Sequence, residues 1–97
     1  MRLRHPELFS DSMQKDQAEI LVVDDETPVR LSLAAYLEDE GFNVRTAESA
    51  EQAIEVSAER AAHLAVVDLR LPGMDGASLI LELSRRRPGM KFLIHTG

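Results

Sequence analysis

The feature that most limits how this chain can fold is a regular alternation of short apolar runs with helix-like segments. The first run, residues 20–23, reads "ILVV" and contains no polar residue. A short run rich in β-branched residues and without polar alternation is typical of a strand covered on both faces. Three further strand-like segments follow: "FNVRT" at 42–46, "HLAVVD" at 63–68 and "KFLIHT" at 91–96.

The first two intervals between strands carry helix signals. Thr27 and Pro28 predict an N-cap followed by the first helical residue, and Gly41 predicts the end of that helix. Ser49 with Gln52 matches a capping box that opens the second helix. Apolar residues at helical spacing predict the buried faces, which are Val29, Leu33, Tyr36 and Leu37 in the first helix and Ala53, Ile54, Ala58 and Ala61 in the second.

The third interval, "GASLILELSRRR", predicts a helix over residues 76–87. Asp75 is the expected N-cap, and Pro88-Gly89 ends the segment. An apolar stripe is formed by Leu79, Ile80 and Leu83. The arginine run at the end of this segment complements the helix dipole, so we interpret it as structural and not as a nucleic-acid contact.

The resulting order, β-α-β-α-β-α-β, predicts an α/β fold with a parallel sheet and right-handed crossovers. Ligands of such sheets bind outside the carboxyl ends of the strands. The residues at those ends are therefore the candidates for function.

Three carboxylates and a hydroxyl follow the predicted strands. Asp24 and Asp25 follow the first strand, Asp68 ends the third, and Thr96 ends the fourth. Neighbouring strands lie about 5 Å apart, so these side chains can approach one another. Clustered carboxylates repel unless a cation offsets their charge, and Mg²⁺ prefers such oxygen ligands and recruits phosphate oxygens. The pattern favours phosphoryl-transfer chemistry.

Each of these residues, taken alone, also has a purely structural interpretation. Asp24-Asp25 and Asp68 could be turn residues, and Thr96 could be a small polar residue at a strand end. His63 and His95 lack the spacing of metal ligands, so we interpret both as polar residues at strand edges. Only the combination of acids and hydroxyl at alternate strand ends is specific.

Length, charge and cysteine content limit the surfaces that the chain could bind and the compartment in which we expect it. The 97 residues suit one domain, and the net charge of −6 argues against a nucleic-acid or anionic-membrane surface. The chain contains no cysteine, residues 1–18 are polar and lack the apolar segment of a signal peptide, and no apolar run could span a bilayer. We expect a flexible leader over residues 1–18 and a cytoplasmic protein.

The segments "ILVVDDE", "VVDLRLPGMDG" and "FLIHTG" resemble the signature segments of the receiver domain of two-component response regulators. They occur in the family's order, and the resemblance covers residues 19–97. It implies a CheY-like, flavodoxin-like parallel sheet in the order 2-1-3-4 with helices on both faces. It also implies a signalling domain and not an enzyme acting on a separate substrate.

The resemblance assigns roles to individual residues. Asp68 is the implied phosphoacceptor, which receives its phosphoryl group from a sensor histidine kinase or a phosphotransfer protein. Asp25 is expected to bind Mg²⁺ directly, Asp24 through water, and Arg70 through its backbone carbonyl. Thr96 is the implied switch hydroxyl, which moves toward the phosphate once Asp68 is modified.

The sequence also departs from the family pattern, which continues with a fourth helix, a fifth strand ending in lysine, and a fifth helix. Residues 19–97 are therefore interpreted as an incomplete receiver domain, and Lys91 cannot replace that lysine because it lies at the opposite end of its strand. Three accounts stay open: a fragment of a longer regulator, a fold completed by another copy or a partner, or a degenerate module. The last two predict self-association or partner binding through the apolar fourth strand.

Two other functions compete with phosphoryl acceptance. One is a non-phosphorylated interaction module that uses the fourth strand. The other is a hydrolase of the haloacid-dehalogenase type, whose nucleophile motif reads Asp-x-Asp-x-Thr or similar. The segment "DDETP" fails that spacing.

Overall fold

The computed structural model describes residues 17–95, which form a four-stranded sheet with three helices. The elements are β1 (Glu19–Val23), α1 (Thr27–Asp39), β2 (Asn43–Ala47), α2 (Ala50–Glu59), β3 (Leu64–Asp68), α3 (Gly76–Arg86) and β4 (Lys91–His95). All strand pairs are parallel, and the sheet order is β2-β1-β3-β4. The predicted α/β fold and strand order are confirmed.

The sheet separates two apolar clusters, one on each face. Successive residues of β1 enter opposite clusters, because side chains alternate across a strand. Leu21 and Val23 pack with α2 and α3, whereas Ile20 and Val22 pack on the side of α1. The uninterrupted apolar run of β1 is thus explained by burial on both faces, as the sequence predicts.

The start of α1 differs from the prediction by one residue. Glu26 is the N-cap, its carbonyl accepts a hydrogen bond from the Arg30 N–H at 2.9 Å, and Thr27 is already helical. Thr27 does not cap the helix; its hydroxyl accepts a hydrogen bond from the Arg30 guanidinium at 3.2 Å. The physical reason is that Asp24 binds the Glu26 N–H at 2.8 Å and so turns the chain into the helix one residue earlier.

The capping box of α2 forms in a shifted version. The Ser49 hydroxyl accepts the Gln52 N–H at 3.1 Å, as predicted, but the Gln52 side chain accepts the N–H of Glu48 at 2.7 Å and not that of Ser49. The predicted inward face is only partly correct. The buried residues are Ala50, Ala53 and Ser57, whereas Ala58 is exposed and Ala61 lies beyond the helix end.

The prediction for α3 is confirmed. The Asp75 carboxylate accepts the Ser78 N–H at 2.8 Å, and Leu79 and Leu83 are fully buried, with Ile80 packed against them. The helix ends at Arg86, and its last turn contains Arg85 and Arg86. Both guanidiniums pair with Glu82, at 3.1 and 2.6 Å. The terminal arginines therefore have a structural role.

The folded region begins earlier than expected. Ala18, assigned to the leader on sequence grounds, is 1% exposed, and its carbonyl accepts the Asn43 N–H at 3.2 Å. The boundary after residue 18 is too late by at least one residue, because this alanine belongs to the core beside β1. The remaining leader positions 1–16 lie outside the described residues. No helix within residues 17–95 has the length and apolar character needed to cross a membrane.

Candidate functional site at the carboxyl ends of the strands

Asp24 directly follows β1 and is completely buried. Its backbone N–H donates to the carbonyl of Ala47 at 3.1 Å, and its own carbonyl accepts the Arg30 guanidinium at 2.9 Å. Within its carboxylate, Oδ1 accepts the Glu26 N–H at 2.8 Å. One carboxylate oxygen is thus held by the backbone, which leaves Oδ2 to face the end of the sheet.

Asp68 is the last residue of β3, the central strand next to β1, and is 3% exposed. Its Oδ1 accepts the Arg70 N–H at 2.9 Å. Among residues 17–95, no hydrogen-bond donor reaches its Oδ2. A buried carboxylate with one oxygen fixed and the other without a donor from the described residues is available to a ligand or a reacting group.

The space behind Asp68 is limited by Gly76, the first residue of α3. A Cβ at position 76 would lie 2.5 Å from the carbonyl oxygen of Asp68 and 2.7 Å from the Cα of Leu69. Both distances are shorter than real Cβ contacts. Only glycine lets α3 begin against the end of β3, so this residue sets the position of the Asp68 backbone.

His95 completes the cluster, although sequence reasoning did not assign it to the site. It ends β4 in register with Asp68, and its Nε2 lies 2.6 Å from Oδ2 of Asp24. One ligand atom from each of Asp24, Asp68 and His95 can be chosen so that all three lie within 4.8 Å of one another. The interpretation of His95 as a strand-edge polar residue therefore leaves out its contact with Asp24, because the sheet register brings together residues that are distant in sequence.

The other histidine of the described region has a structural contact. Nδ1 of His63 accepts the Glu19 N–H at 2.9 Å where β3 begins, at the opposite end of the sheet from Asp68. The two histidines look alike in the sequence, since neither has metal-ligand spacing. They differ in their position on the strands, since His63 directly precedes β3 and His95 is the last residue of β4.

Two further predicted site residues, Asp25 and Arg70, are more exposed than the three-residue cluster. Asp25 is exposed beside Asp24 and is not part of the three-residue cluster. Arg70 is exposed, and the contact that ties it to the site is its N–H on Asp68. Thr96 lies outside the described residues. The metal roles of Asp25 and of the Arg70 carbonyl stay predictions.

The donor set fits a divalent cation. Two buried carboxylates so close together repel each other, and Oδ2 of Asp68 has no donor among the described residues to offset its charge. Carboxylate oxygen is the preferred ligand of Mg²⁺, and imidazole nitrogen is a common ligand of transition metals. The cluster thus has the chemistry that a bound cation would need.

Comparison with known proteins identifies the family to which the chain belongs. The model of the response regulator receiver domain family matches residues 20–97. That match covers most of the chain, and with the parallel sheet and the acidic strand ends it shows that the chain belongs to this family. The domain is thereby assigned to two-component systems.

Particular relatives share about two fifths of their aligned residues with this chain. An NtrX-like response regulator of Rickettsia bellii is 37% identical over 81 residues, which are 81% of this chain and 17% of that protein. The transcriptional regulatory protein AruR of Pseudomonas aeruginosa is 43% identical over 83 residues, or 80% of this chain and 34% of that protein. The chain thus spans about a third or less of the length of these relatives.

Solved structures agree with this assignment. NtrX from Brucella abortus in complex with ADP is 38% identical, with a TM-score of 0.77 over 79% of this chain and 18% of that one. A CheY-like response regulator receiver domain protein from Methanospirillum hungatei is 37% identical, with a TM-score of 0.76 over 82% of this chain and 64% of that one. The fold and the family are therefore supported independently by sequence and by shape.

Proposed function

We propose that this domain accepts a phosphoryl group on Asp68 from a histidine kinase or a phosphotransfer protein, as one step of a two-component phosphorelay. The observation that carries the proposal is the state of the Asp68 carboxylate. It is buried at the end of a central strand, its Oδ1 is fixed by the Arg70 N–H, and its Oδ2 has no donor among residues 17–95. Family membership supports the same role.

The proposed reaction needs no general base. The ionised carboxylate of Asp68 attacks phosphorus through an oxygen, and the bond from phosphorus to the donor histidine nitrogen breaks. The electron pair of that bond stays on the nitrogen, and Asp68 becomes an acyl phosphate. In a loose transition state of this kind, catalysis consists mainly of positioning and charge neutralisation.

Positioning is the part that the described residues can supply. Backbone N–H groups fix one oxygen of each buried aspartate, and Gly76 lets α3 pack directly behind Asp68. We infer that Asp24, Asp25 and the Arg70 carbonyl hold Mg²⁺ beside Asp68, with Asp24 acting through water. When bound, this ion would shield the anionic nucleophile from the anionic phosphate. Thr96 is the proposed hydroxyl that responds to the modified Asp68.

The test is phosphorylation of the full chain by acetyl phosphate and Mg²⁺, followed by intact mass spectrometry. We expect a mass increase of one phosphoryl group that Asp68→Asn abolishes. Asp75→Asn is the matched control, because it is the same substitution at an exposed acid whose capping role asparagine retains. An unmodified wild-type chain, or an Asp68→Asn variant modified as strongly as the control, would contradict the proposal.

A second candidate is an interaction module that works without phosphorylation. The observation that favours it is β4, which pairs only with β3 among the described residues and carries Ile94 at 58% exposure. Apolar strand edges of this kind pair readily with other chains. In this case the partner would recognise β4, and Asp68→Asn would leave its binding intact.

A further inference from the structure

We propose that His95 is a ligand of the divalent cation, and that its imidazole makes the site favour a late first-row transition-metal ion such as Zn²⁺ or Co²⁺ over Mg²⁺. The inference rests on the cation site of the proposed function, because it assigns a further donor to that site. It adds a residue that the comparison with the family and the sequence pattern do not supply.

The geometry already aims the imidazole at the ligand position. Nε2 of His95 lies 2.6 Å from Oδ2 of Asp24, and a donor atom of Asp68 lies within 4.8 Å of both residues' donor atoms. Two atoms that bind one zinc ion at about 2.0–2.2 Å are separated by about 3–3.5 Å. In a zinc complex Asp24 would bind the ion directly and not through water, as proposed for Mg²⁺, so the Asp24 and His95 donor atoms need to open from their 2.6 Å separation by less than about 1 Å to admit the ion.

The surroundings permit this opening on one side only. The Asp24 side chain is 1% exposed, and its Oδ1 is tied to the Glu26 N–H, so it stays in place. The His95 side chain is 26% exposed and so has solvent beside it. A cation beside the two aspartates can thus rotate the His95 ring slightly outward while Nε2 stays in contact with the ion.

The type of donor atom decides which cations bind more tightly when His95 is a ligand. Mg²⁺ strongly prefers oxygen ligands and near-ideal octahedral geometry, so an imidazole contributes little to its binding. Zn²⁺ and Co²⁺ accept mixed nitrogen and oxygen donors, and a set of one histidine and two carboxylates is within their normal range. His95 should therefore act on metal selectivity and not on cation binding in general.

The competing explanation is that His95 only donates a hydrogen bond to Asp24. Under that explanation, removal of the ring would change the position of Asp24 for every cation alike. Selectivity between Zn²⁺ and Mg²⁺ would then be unaffected, and this difference makes the two explanations separable.

The experiment measures the affinities of the full chain for Zn²⁺ and Mg²⁺ separately by titration calorimetry, in the wild type and in His95→Leu. Removal of outer-shell partners of metal ligands already costs about 10–100-fold in affinity. We expect His95→Leu to weaken Zn²⁺ binding at least about tenfold more than Mg²⁺ binding. Equal changes for the two ions, or none, would overturn the inference.

A second measurement keeps the test decisive if His95→Leu does not fold. In the wild type, Zn²⁺ should shift the ¹⁵N resonance of His95 Nε2 in the way that metal coordination does, with the ring nitrogens of His63 unchanged. His63→Gln is the matched control in calorimetry, because it removes the other histidine of the described region while retaining a hydrogen-bond acceptor for Glu19. An unshifted His95 resonance at saturating Zn²⁺ also overturns the inference.

Failure of the inference and failure of the proposed function give different results. Loss of phosphorylation in Asp68→Asn, together with unaltered metal selectivity in His95→Leu, supports the phosphoacceptor and rejects the histidine ligand. A wild type that is not phosphorylated but shows His95-dependent Zn²⁺ selectivity rejects the phosphoacceptor and retains the ligand.

Discussion

At the scale of single residues, the two buried aspartates are held in the same way. Asp24 accepts the N–H of residue 26 and Asp68 accepts the N–H of residue 70, at 2.8 and 2.9 Å. In each case the carboxylate bonds to the backbone two residues ahead, a local pattern that favours turns. The turn interpretation and the site interpretation of these residues are therefore compatible, because one oxygen makes the turn and the other faces the site.

The Asp75 carboxylate makes the stability of the fold depend on pH. The hydrogen bond from the Ser78 backbone N–H, supported by the Ser78 hydroxyl, holds the pKa of Asp75 below its ordinary value. Because the folded pKa is the lower one, Asp75 stabilises the fold above its unfolded pKa, and this contribution is lost as the pH falls through the folded value. We expect Asp75→Ala to lower the melting temperature at pH 7.

Asp75→Asn serves as the control for that prediction. Asparagine caps helices about as well as aspartate but does not ionise, so its melting temperature should stay near the wild-type value at pH 7 and fall less between pH 5 and pH 2. The measurement is thermal unfolding followed by circular dichroism. Equal acid sensitivity of Asp75→Asn and the wild type would contradict the assigned role.

At the scale of elements, the connection from β3 to α3 fixes the nucleophile. The chain leaves Asp68, turns, and returns so that the Gly76 N–H donates to the Leu69 carbonyl at 3.2 Å. The start of α3 therefore lies directly against the last residues of β3. A methyl group added at position 76 would push α3 away from β3 and so shift the backbone of Asp68.

Gly76→Ala tests this contact. Alanine at an ordinary helix position stabilises by about 0.5–1 kcal/mol relative to glycine. Here the added Cβ would meet the Asp68 carbonyl oxygen at 2.5 Å, so we expect a loss of about 1–3 kcal/mol in the free energy of unfolding and weaker Mg²⁺ binding. Denaturant unfolding and titration calorimetry measure the two effects.

Gly89→Ala is the matched variant for Gly76→Ala. Its φ of +99° disfavours alanine, but a Cβ there meets no atom within 4 Å, and it lies near the start of β4, away from the site. It should lose stability through the backbone alone, by about 1–2 kcal/mol, with Mg²⁺ affinity unchanged. A stable Gly76→Ala variant with wild-type affinity would show that the close packing is not required.

At the scale of the whole molecule, the sheet has a protected centre and a more open margin. β1 and β3 are central and almost completely buried, whereas β4 pairs only with β3 within the described region and is half-buried at most positions. The site thus lies on the two most buried strands on one side and on the most exposed strand on the other. Any partner that pairs with β4 would bind close to His95.

We predict that the domain self-associates through β4. We expect the apparent mass in light scattering to rise with concentration, and Ile94→Lys to suppress the rise, since charged residues protect strand edges. Leu81→Lys is the control, because Leu81 is an equally exposed apolar residue on α3, at 61%. A wild type that stays monomeric at high concentration, or equal effects of the two variants, would reject this edge as the interface.

The sequence-based predictions are correct where the interactions join residues that are close in sequence. The Asp75 cap and the Leu79 and Leu83 stripe were predictable, because each depends on residues three or four positions apart. The start of α1 was misplaced by one residue, because the Asp24 turn competes with Thr27 for the cap. The buried face of α2 was misjudged because small residues such as Ala58 give little periodic signal.

Sequence alone predicts the alternation of strands and helices, the parallel sheet, and the placement of Asp24 and Asp68 at strand ends. These follow from periodicity and local hydrogen bonding, which are encoded within a few residues. The contacts of His95 with Asp24 and of Gly76 with Asp68 become visible only in the folded chain. Those contacts depend on sheet register and on close packing between elements, which no local pattern specifies.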